Sequence, residues 1–238
     1  MSVQYFFYSG EWSNNILVLP KEESTHCVRS CRFCEGDIIG LTSGHGKLAL
    51  ARICAISKNL EVSVLLDENS IQNFPPPTPV RLFMSVLQDH DRMEWMVEKA
   101  TELGATEINF LITDRTIKKR LRPDRMQRIA IAALKQSGRP WLTNIHEPVP
   151  FQNMTWPQGH SFIAFCFETK YNPKIHYSEI KITTADSINV FIGPEGDFTE
   201  SEIHEAIQKG AVPLSLGLWR LRSETAAILS LIALRKKF

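Results

Sequence analysis

The stretch FPPPTP at residues 74–79 does more than any other to limit how this chain folds. Proline lacks the amide hydrogen that helix interiors and central strands need, and its ring fixes φ. A cluster of four prolines in six residues therefore makes a stiff, extended connector. The hydrophobic rhythm differs on its two sides. Before it, YFF, GDIIGLTS, GKLALARICAI and LEVSVLL are short apolar or alternating runs separated by Gly, Asn, Ser and Lys, the pattern of a small β-barrel or meander over 1–74. After it, apolar runs alternate with longer helical stretches. That alternation predicts a second, α/β domain over 80–238, with a mostly parallel sheet and helices on both faces. A chain of 238 residues is long enough for two such domains.

In the second domain, strands are predicted at 80–87, 107–112, 162–167, 187–193 and 212–217. Asp91 with Glu94 opens a helix that Gly104 ends, and Pro123 opens another that Gly138 and Pro140 end. Thr199 with Glu202 has the spacing of a capping box. The last helix, from Ser223, is apolar on almost every side through Leu234 and is expected to be buried.

Hydrophobic content of 43% and charged content of 22% suit a soluble globular protein. The longest apolar stretch, at 226–234, is too short to cross a bilayer, and the N-terminus lacks the basic start and apolar core of a secretory leader. The five cysteines form an odd set without the composition of a small secreted domain, which favours reduced thiols and a cytoplasmic location. The net charge of +1 gives no global sign of nucleic-acid binding. The run RTIKKRLRPDRMQR at 115–128 is a local one, with seven basic side chains and one acidic, Asp124. Such a run suits a phosphate backbone, and binding through it weakens as salt rises. A solvated helix face with its leading loop accounts for it equally well.

CVRSCRFC at 27–34 has the C-x3-C-x2-C spacing that holds an iron–sulfur cluster in radical S-adenosylmethionine enzymes. Here it stands inside the short β domain rather than after the first strand of a long β/α body. His26 and His45 suggest zinc instead, but no second paired-ligand motif completes a tetrahedral site. The spacing of Cys27, Cys31 and Cys34 is therefore read as a chance match to a short motif, since buried cysteine commonly behaves as a small hydrophobe.

Two loops have unusual composition. IGPEGDFTESE leaves the strand at Ile192, and SLGLWRLRSETAA leaves the strand at Leu216. In open α/β sheets, ligands collect beyond the carboxyl ends of the strands. Gly193 and Gly196 permit close backbone approach, Pro194 stiffens the turn, and Ser223 stands where it can cap a helix whose amides favour electron-rich atoms. One such loop is an ordinary tight turn; two, each with Glu beside a helix start, indicate a binding cleft.

These segments resemble those of the bacterial small-subunit (16S) ribosomal RNA uridine-N3 methyltransferases of the SPOUT superfamily. The resemblance rests on GPEG-x-F, on LG followed by LR-x-ETA, and on DRMEWMVEKATELGA at 91–105. It also includes Asp114-Arg115-Thr116, Lys135-Gln136-Ser137-Gly138-Arg139, and His26, Arg32, Gly36 and Asp37 near the N-terminus. It implies a PUA-like β-barrel RNA-binding domain at 1–74, a proline linker at 75–79, and a methyltransferase domain at 80–238 with a C-terminal trefoil knot, a rare exception among chain paths. The methyl donor implied is S-adenosylmethionine, held by Phe167, Gly193, Pro194, Glu195, Gly196, Leu216, Gly217, Leu221, Ser223, Thr225 and Ala226. The RNA contacts expected are Arg32, Arg115, Lys118, Lys119, Arg120 and Arg122. The partners implied are small-subunit ribosomal RNA, or the assembled subunit, and a second copy of the chain in a homodimer; no metal and no membrane are called for.

Uridine N3 carries a weakly acidic proton that must leave before or during attack on a sulfonium methyl. That demands a base, Glu195 or Glu224, and a cation for the developing charge, Arg139 or Arg222. Helix-start electrostatics for Glu224 and surface ion pairing for the arginines are the plainer roles. Four positions depart from the family pattern. Asp197 replaces a glycine, in a turn that Asp tolerates better than most residues. Trp219 stands where an arginine is usual, with Arg220 one position later. Ser30-Cys31 replaces Val-Leu, and Gln4 lies near an expected arginine. A knotted RNA methyltransferase acting on ribose or guanine, and a non-catalytic RNA-binding ribosome-assembly factor, remain as alternatives.

Overall fold

The computed structural model describes residues 3–12, 14–166, 174–181 and 186–234. The chain divides into two compact units, Met1–Pro76 with Ile131–Leu142, and Pro77–Ala130 with Thr143–Phe238. The division falls inside the proline cluster. The first unit also takes in Ile131–Leu142, which the hydrophobic rhythm assigns to the second domain.

The first unit contains β1 (Tyr5–Phe7), β2 (Ile16–Val18), α1 (Lys21–Thr25), β3 (Ile38–Thr42), β4 (Lys47–Ile56), β5 (Val62–Leu66) and β6 (Gln72–Asn73). The strands form one sheet in the order β1-β3-β4-β5-β2, with β6 on β4; β1 and β3 run parallel and the other pairs antiparallel. In β5, Val62, Val64 and Leu66 point inward and Ser63 and Leu65 outward, the period of two that a half-covered sheet imposes. The core is built from Phe6, Leu17, Ile39, Leu41, Ile53, Val62 and Val64.

The helical segment α1, continued by one π-helical stretch over His26–Ser30, departs from the all-strand reading of this unit. Its causes are local. Pro20 precedes the first helical residue, and Glu22 and Glu23 lie in the first turn, where negative charge is favoured. Glu23 is buried, accepts the Phe7 N–H at 3.2 Å and pairs with Lys135 Nζ at 2.6 Å, and so anchors the helix on this unit's core.

The helix also accounts for the cysteine motif. Cys27 is fully buried in the core, Cys31 is half-buried with its Sγ 3.4 Å from His26 Nε2, and Cys34 is exposed. Burial pushes the Cys27 thiol up to about 11, with smaller contributions from Cys31, Asp37 and Glu23. Among the described residues, no group of three or more His, Cys, Asp or Glu side chains is arranged to hold a metal ion.

The second unit begins with β7 (Val80–Ser85), α2 (His90–Glu102), β8 (Glu107–Ile112) and α3 (Pro123–Ser137), whose second half groups with the first unit. There follow β9 (Asn144–Ile145), β10 (Val149–Pro150), β11 (His160–Ala164), β12 (Ile175–His176), β13 (Ile188–Ile192), α4 (Glu200–Gln208), β14 (Val212–Ser215) and α5 (Ser223–Leu234). The sheet order is β10-β8-β7-β13-β11-β14-β12, with β9 on β8, and every pair is parallel. All five residues of β13 are buried, as a strand covered on both faces must be. Phe83 and Phe191 stack at 4.5 Å between centroids on the face that carries Ile163, Leu111 and, from α4, Ile203 and Ala206. Strand alternation turns Leu82, Met84, Val190 and Ile192 to the opposite face. There α5 packs against α2, β13 and β7.

Several helix ends follow from named caps. Asp89, two residues ahead of the expected Asp91, caps α2, accepting the Asp91 and Arg92 amides at 3.0 and 3.4 Å. Gly104 ends α2 at a φ of 80°, and Gly138 ends α3 at 61°. Thr199 and Glu202 form a complete capping box on α4. The expectation of burial for α5 holds on one side only: Ala227, Leu231 and Leu234 are buried, while Ile232 is 49% exposed. The periodicity of an all-apolar helix cannot say which neighbours are present to cover it. Among the described residues, no helix is long and apolar enough to cross a membrane.

The order of the strands creates the site. β13 follows β11 in the chain but enters the sheet between β7 and β11, and β14 then returns to the far side of β11. The carboxyl ends of β11, β13 and β14 thus lie side by side, where the strand order reverses.

Candidate active site

A cavity of about 400 Å³ opens at these three strand ends, within the range of small-molecule sites. One wall is Ala164, Phe165 and Cys166, with Lys174; a second is Ile192 to Glu195 with Asp197; a third runs from Leu214 to Leu221. Ser223 and Ala226, in the first turn of α5, close it, so a helix N-terminus with its unpaired amides borders the space. Every lining residue belongs to the second unit.

The loop after β13 is a turn closed by the Asp197 amide donating to the Pro194 carbonyl at 2.9 Å. At Gly193 an added Cβ would meet the Phe198 backbone nitrogen at 2.9 Å, so no larger residue fits. Asp197 takes the left-handed conformation, φ 65°, that glycine would otherwise supply. Its carboxylate ties two walls together: Oδ2 accepts the Cys166 amide at 2.7 Å and Oδ1 accepts the Phe198 amide at 2.8 Å. Arg115 Nη1 donates to the Gly196 and Phe198 carbonyls at 2.8 and 3.2 Å, bracing the same loop from outside. Glu195 Oε1 accepts the Gln88 amide at 2.9 Å, and Arg220 Nη2 donates to the Glu195 carbonyl at 3.2 Å, linking the second and third walls.

Lys174 Nζ donates to the Phe165 and Cys166 carbonyls at 2.7 and 3.2 Å and lies 4.4 Å from the Phe165 ring centroid. The Cys166 thiol is pushed up by burial first and by Asp197 second, against the opposing pull of Arg220 and Lys174. The cavity thus presents carboxylates and cations together, with apolar flanks from Ile192, Leu214, Leu216 and Leu221.

Of the residues expected to hold the methyl donor, Gly193, Pro194, Glu195, Leu216, Gly217, Leu221, Ser223 and Ala226 line this cavity. Gly196 stands behind the loop against Arg115, and Thr225 is exposed outside the lining. Phe167 lies outside the described residues. Glu224 is buried beside α2, its Oε1 3.8 Å from Arg92 Nε, and Arg222 is exposed just ahead of α5. Arg139 belongs to the first unit, where its carbonyl accepts the Thr42 hydroxyl at 2.8 Å.

Among the expected RNA contacts, Arg32 is exposed at a φ of 59°, and Lys119, Arg120 and Arg122 are exposed, with Lys118 half-buried. Arg115, taken from sequence as an RNA contact, braces the 193–198 turn as described. Sequence reasoning did not assign Phe165, Cys166, Lys174 and Arg220 to the site. Arg220 carried a signal, its displacement by one position from the usual arginine; the expectation for Phe167 pointed to the strand end that Phe165 and Cys166 follow, while Lys174, just ahead of β12, carried none.

The chain matches the RNA methyltransferase domain family over residues 74–235 and the RNA methyltransferase PUA domain over 19–65. It is 29% identical to ribosomal RNA small subunit methyltransferase E of Aquifex aeolicus, across 98% of this chain and 100% of that protein. It is 33% identical to the protein of the same name from Synechocystis, across 90% of this chain and 71% of that one. Among solved structures it superposes on a Legionella pneumophila protein with the cofactor SAM bound, with a TM-score of 0.86 and 26% identity over 99% of this chain and 98% of that one. A match to the RNA methyltransferase domain that runs from the proline cluster through α5, over more than half of the chain, with a match to the RNA methyltransferase PUA domain ahead of it, means that this chain belongs to the RNA methyltransferase family.

Proposed function

We propose that the protein transfers a methyl group from S-adenosylmethionine to N3 of a uridine in small-subunit ribosomal RNA. The observation that carries this reading is the single cavity enclosed by the 193–197 turn, the 214–221 loop and the end of β11. Relatives named ribosomal RNA small subunit methyltransferase E, matching over nearly the whole chain, and the SAM-bound Legionella protein support it. The residues suit the donor: a nucleoside-sized space, apolar side chains at Ile192, Leu216 and Leu221 for an adenine ring, and backbone close to the cavity at Gly193 and Gly217.

S-adenosylmethionine, when bound, supplies the electrophilic methyl and departs as a neutral thioether. The chain's own groups have three tasks. Glu195 lines the cavity and is the base we assign to the N3 proton; Glu224, already facing Arg92, holds the start of α5. Arg220, at the Glu195 carbonyl, offsets negative charge on the uracil as the proton leaves, and exposed Arg222 grips the flanking phosphate. Arg139, in the first unit, is not among the residues that line the cavity. The 214–221 loop and the end of β11 keep water from the reacting atoms.

The same reading includes a C-terminal trefoil knot, a PUA-like unit and a basic run at 115–128 that hold RNA, a homodimer with the site near the subunit boundary, and work in the cytoplasm. Its test is calorimetric titration with S-adenosylmethionine together with nucleoside mapping of ribosomal RNA from cells lacking the protein. Loss of one N3-methyluridine is expected. Loss of a ribose- or guanine-methylated nucleotide moves the target atom, and an unchanged map with no donor binding defeats the enzyme assignment.

A further inference from the structure

The segment Leu218-Trp219 combines two properties found together nowhere else among the described residues. These side chains are the most exposed large apolar groups, at 95% and 85%, with Ile117 next at 72%. They also line the mouth of the candidate active site. Exposed apolar area of this kind marks an interaction surface more often than an idle one.

Their outward position is built into the loop. On one side Gly217 turns the chain at a φ of 128°, a conformation that side-chain-bearing residues rarely adopt. On the other, Arg220 is held to the Glu195 carbonyl at 3.2 Å. Between these two points the indole stands exposed. Charge completes the pattern: the 217–223 stretch carries Arg220 and Arg222, both exposed, and no acidic residue.

Resting on the RNA-methylation reading, we propose that Trp219, with Leu218 beside it, is a stacking platform for a base of single-stranded RNA at the mouth of the cavity, and that it sets preference for the RNA substrate. An aromatic face flanked by cations matches the alternation of base and phosphate along a strand. A second copy of the chain is the lesser candidate for this surface. A symmetric contact here would set the loop's own arginines against each other and cover the opening through which the target base must enter.

The test compares wild type with Trp219→Ala and Trp219→Phe in fluorescence anisotropy titrations against a short labelled oligouridylate. S-adenosylmethionine calorimetry and sedimentation are run on the same samples. Stacking on an aromatic side chain corresponds to a loss of about 5- to 150-fold in RNA affinity for Trp219→Ala, with most of it recovered in Trp219→Phe. Because Trp219 also borders the donor cavity, a smaller loss of donor affinity accompanies it in Trp219→Ala, while Trp219→Phe keeps donor affinity within about twofold of wild type. Equal RNA affinity in wild type and Trp219→Ala overturns the proposal. So does a loss of donor affinity as large as the loss of RNA affinity, which means the loop has collapsed, or a fall in oligomer mass, which makes the surface a subunit contact. If wild type binds oligouridylate but neither binds the donor nor transfers methyl, the proposed function fails while the anisotropy series still decides the platform.

Discussion

Asp197 offers the sharpest test of how the site is held together. Its carboxylate accepts the Cys166 amide at 2.7 Å and the Phe198 amide at 2.8 Å, and its backbone sits at φ 65°. Hydrogen bonds to a charged group contribute about 1.5–3 kcal/mol each when buried, and less for a half-buried group such as this. Losing both costs roughly 2–3 kcal/mol. The left-handed conformation costs a residue with a Cβ a further 1–2 kcal/mol or so, a penalty that Asp partly escapes through local hydrogen bonds and Gly escapes entirely. Three variants separate the terms. Asp197→Asn keeps the carbonyl acceptor and loses about 1 kcal/mol. Asp197→Gly loses both bonds but relieves the backbone, for a net cost of about 1–2 kcal/mol. Asp197→Ala loses both bonds and keeps the strain, about 3–4 kcal/mol. Urea unfolding reads the order as shifts in midpoint at constant m, and donor calorimetry reads whether the β11 wall has come loose. An alanine variant as stable as the glycine variant would refute the strain argument, and an alanine variant as stable as wild type would refute the bridge as well.

Three further outcomes follow from the structure. Glu202 is buried, completes the capping box with Thr199 and accepts the Asp114 amide at 2.9 Å, so Glu202→Ala should cost about 2–3 kcal/mol by urea unfolding. Lys135→Met leaves the buried Glu23 with the Phe7 amide as its remaining hydrogen-bond partner among those described, a loss of about 2–4 kcal/mol; replacing Glu23 with Gln in the same chain should recover part of it in a double-mutant cycle. The Cys27 thiol keeps its proton to about pH 11 in the folded chain against an ordinary 9.0, so the folded state binds more protons between those values. The corresponding stability is complete below pH 9 and lost as pH rises towards 11, by roughly 2 kcal/mol. Cys27→Ala, less stable throughout, should show a flatter decline of its urea midpoint over the same range.

The features legible in the sequence were those whose cause lies within a few residues of their effect. Thr199 and Glu202 cap α4 across three positions, Gly138 stops α3, and the prolines at 75–77 stand where the two units divide. The alternation in LEVSVLL and the apolar run of β13 follow from one covered face and two covered faces respectively. The tolerance of Asp for a left-handed turn was readable at Asp197; the bond from its carboxylate to Cys166 was not, because the two residues are neighbours only through the sheet. The segment at 21–30 was misread as part of a strand-only domain for a related reason. Its helix is anchored by Glu23 on Lys135, a partner more than a hundred positions away.

The chain's own sequence determined the two rhythms, the turn chemistry of the 193–198 and 216–223 loops, and the family to which those loops point. The tertiary structure decided that these loops share one cavity with the end of β11, that Arg115 and Glu195 spend hydrogen bonds on bracing it, and that Arg220 rather than Arg222 lines it. The physical reason is the entry of β13 between β7 and β11. Local periodicity specifies a strand, but its neighbours are chosen by which buried faces fit together across the whole sheet.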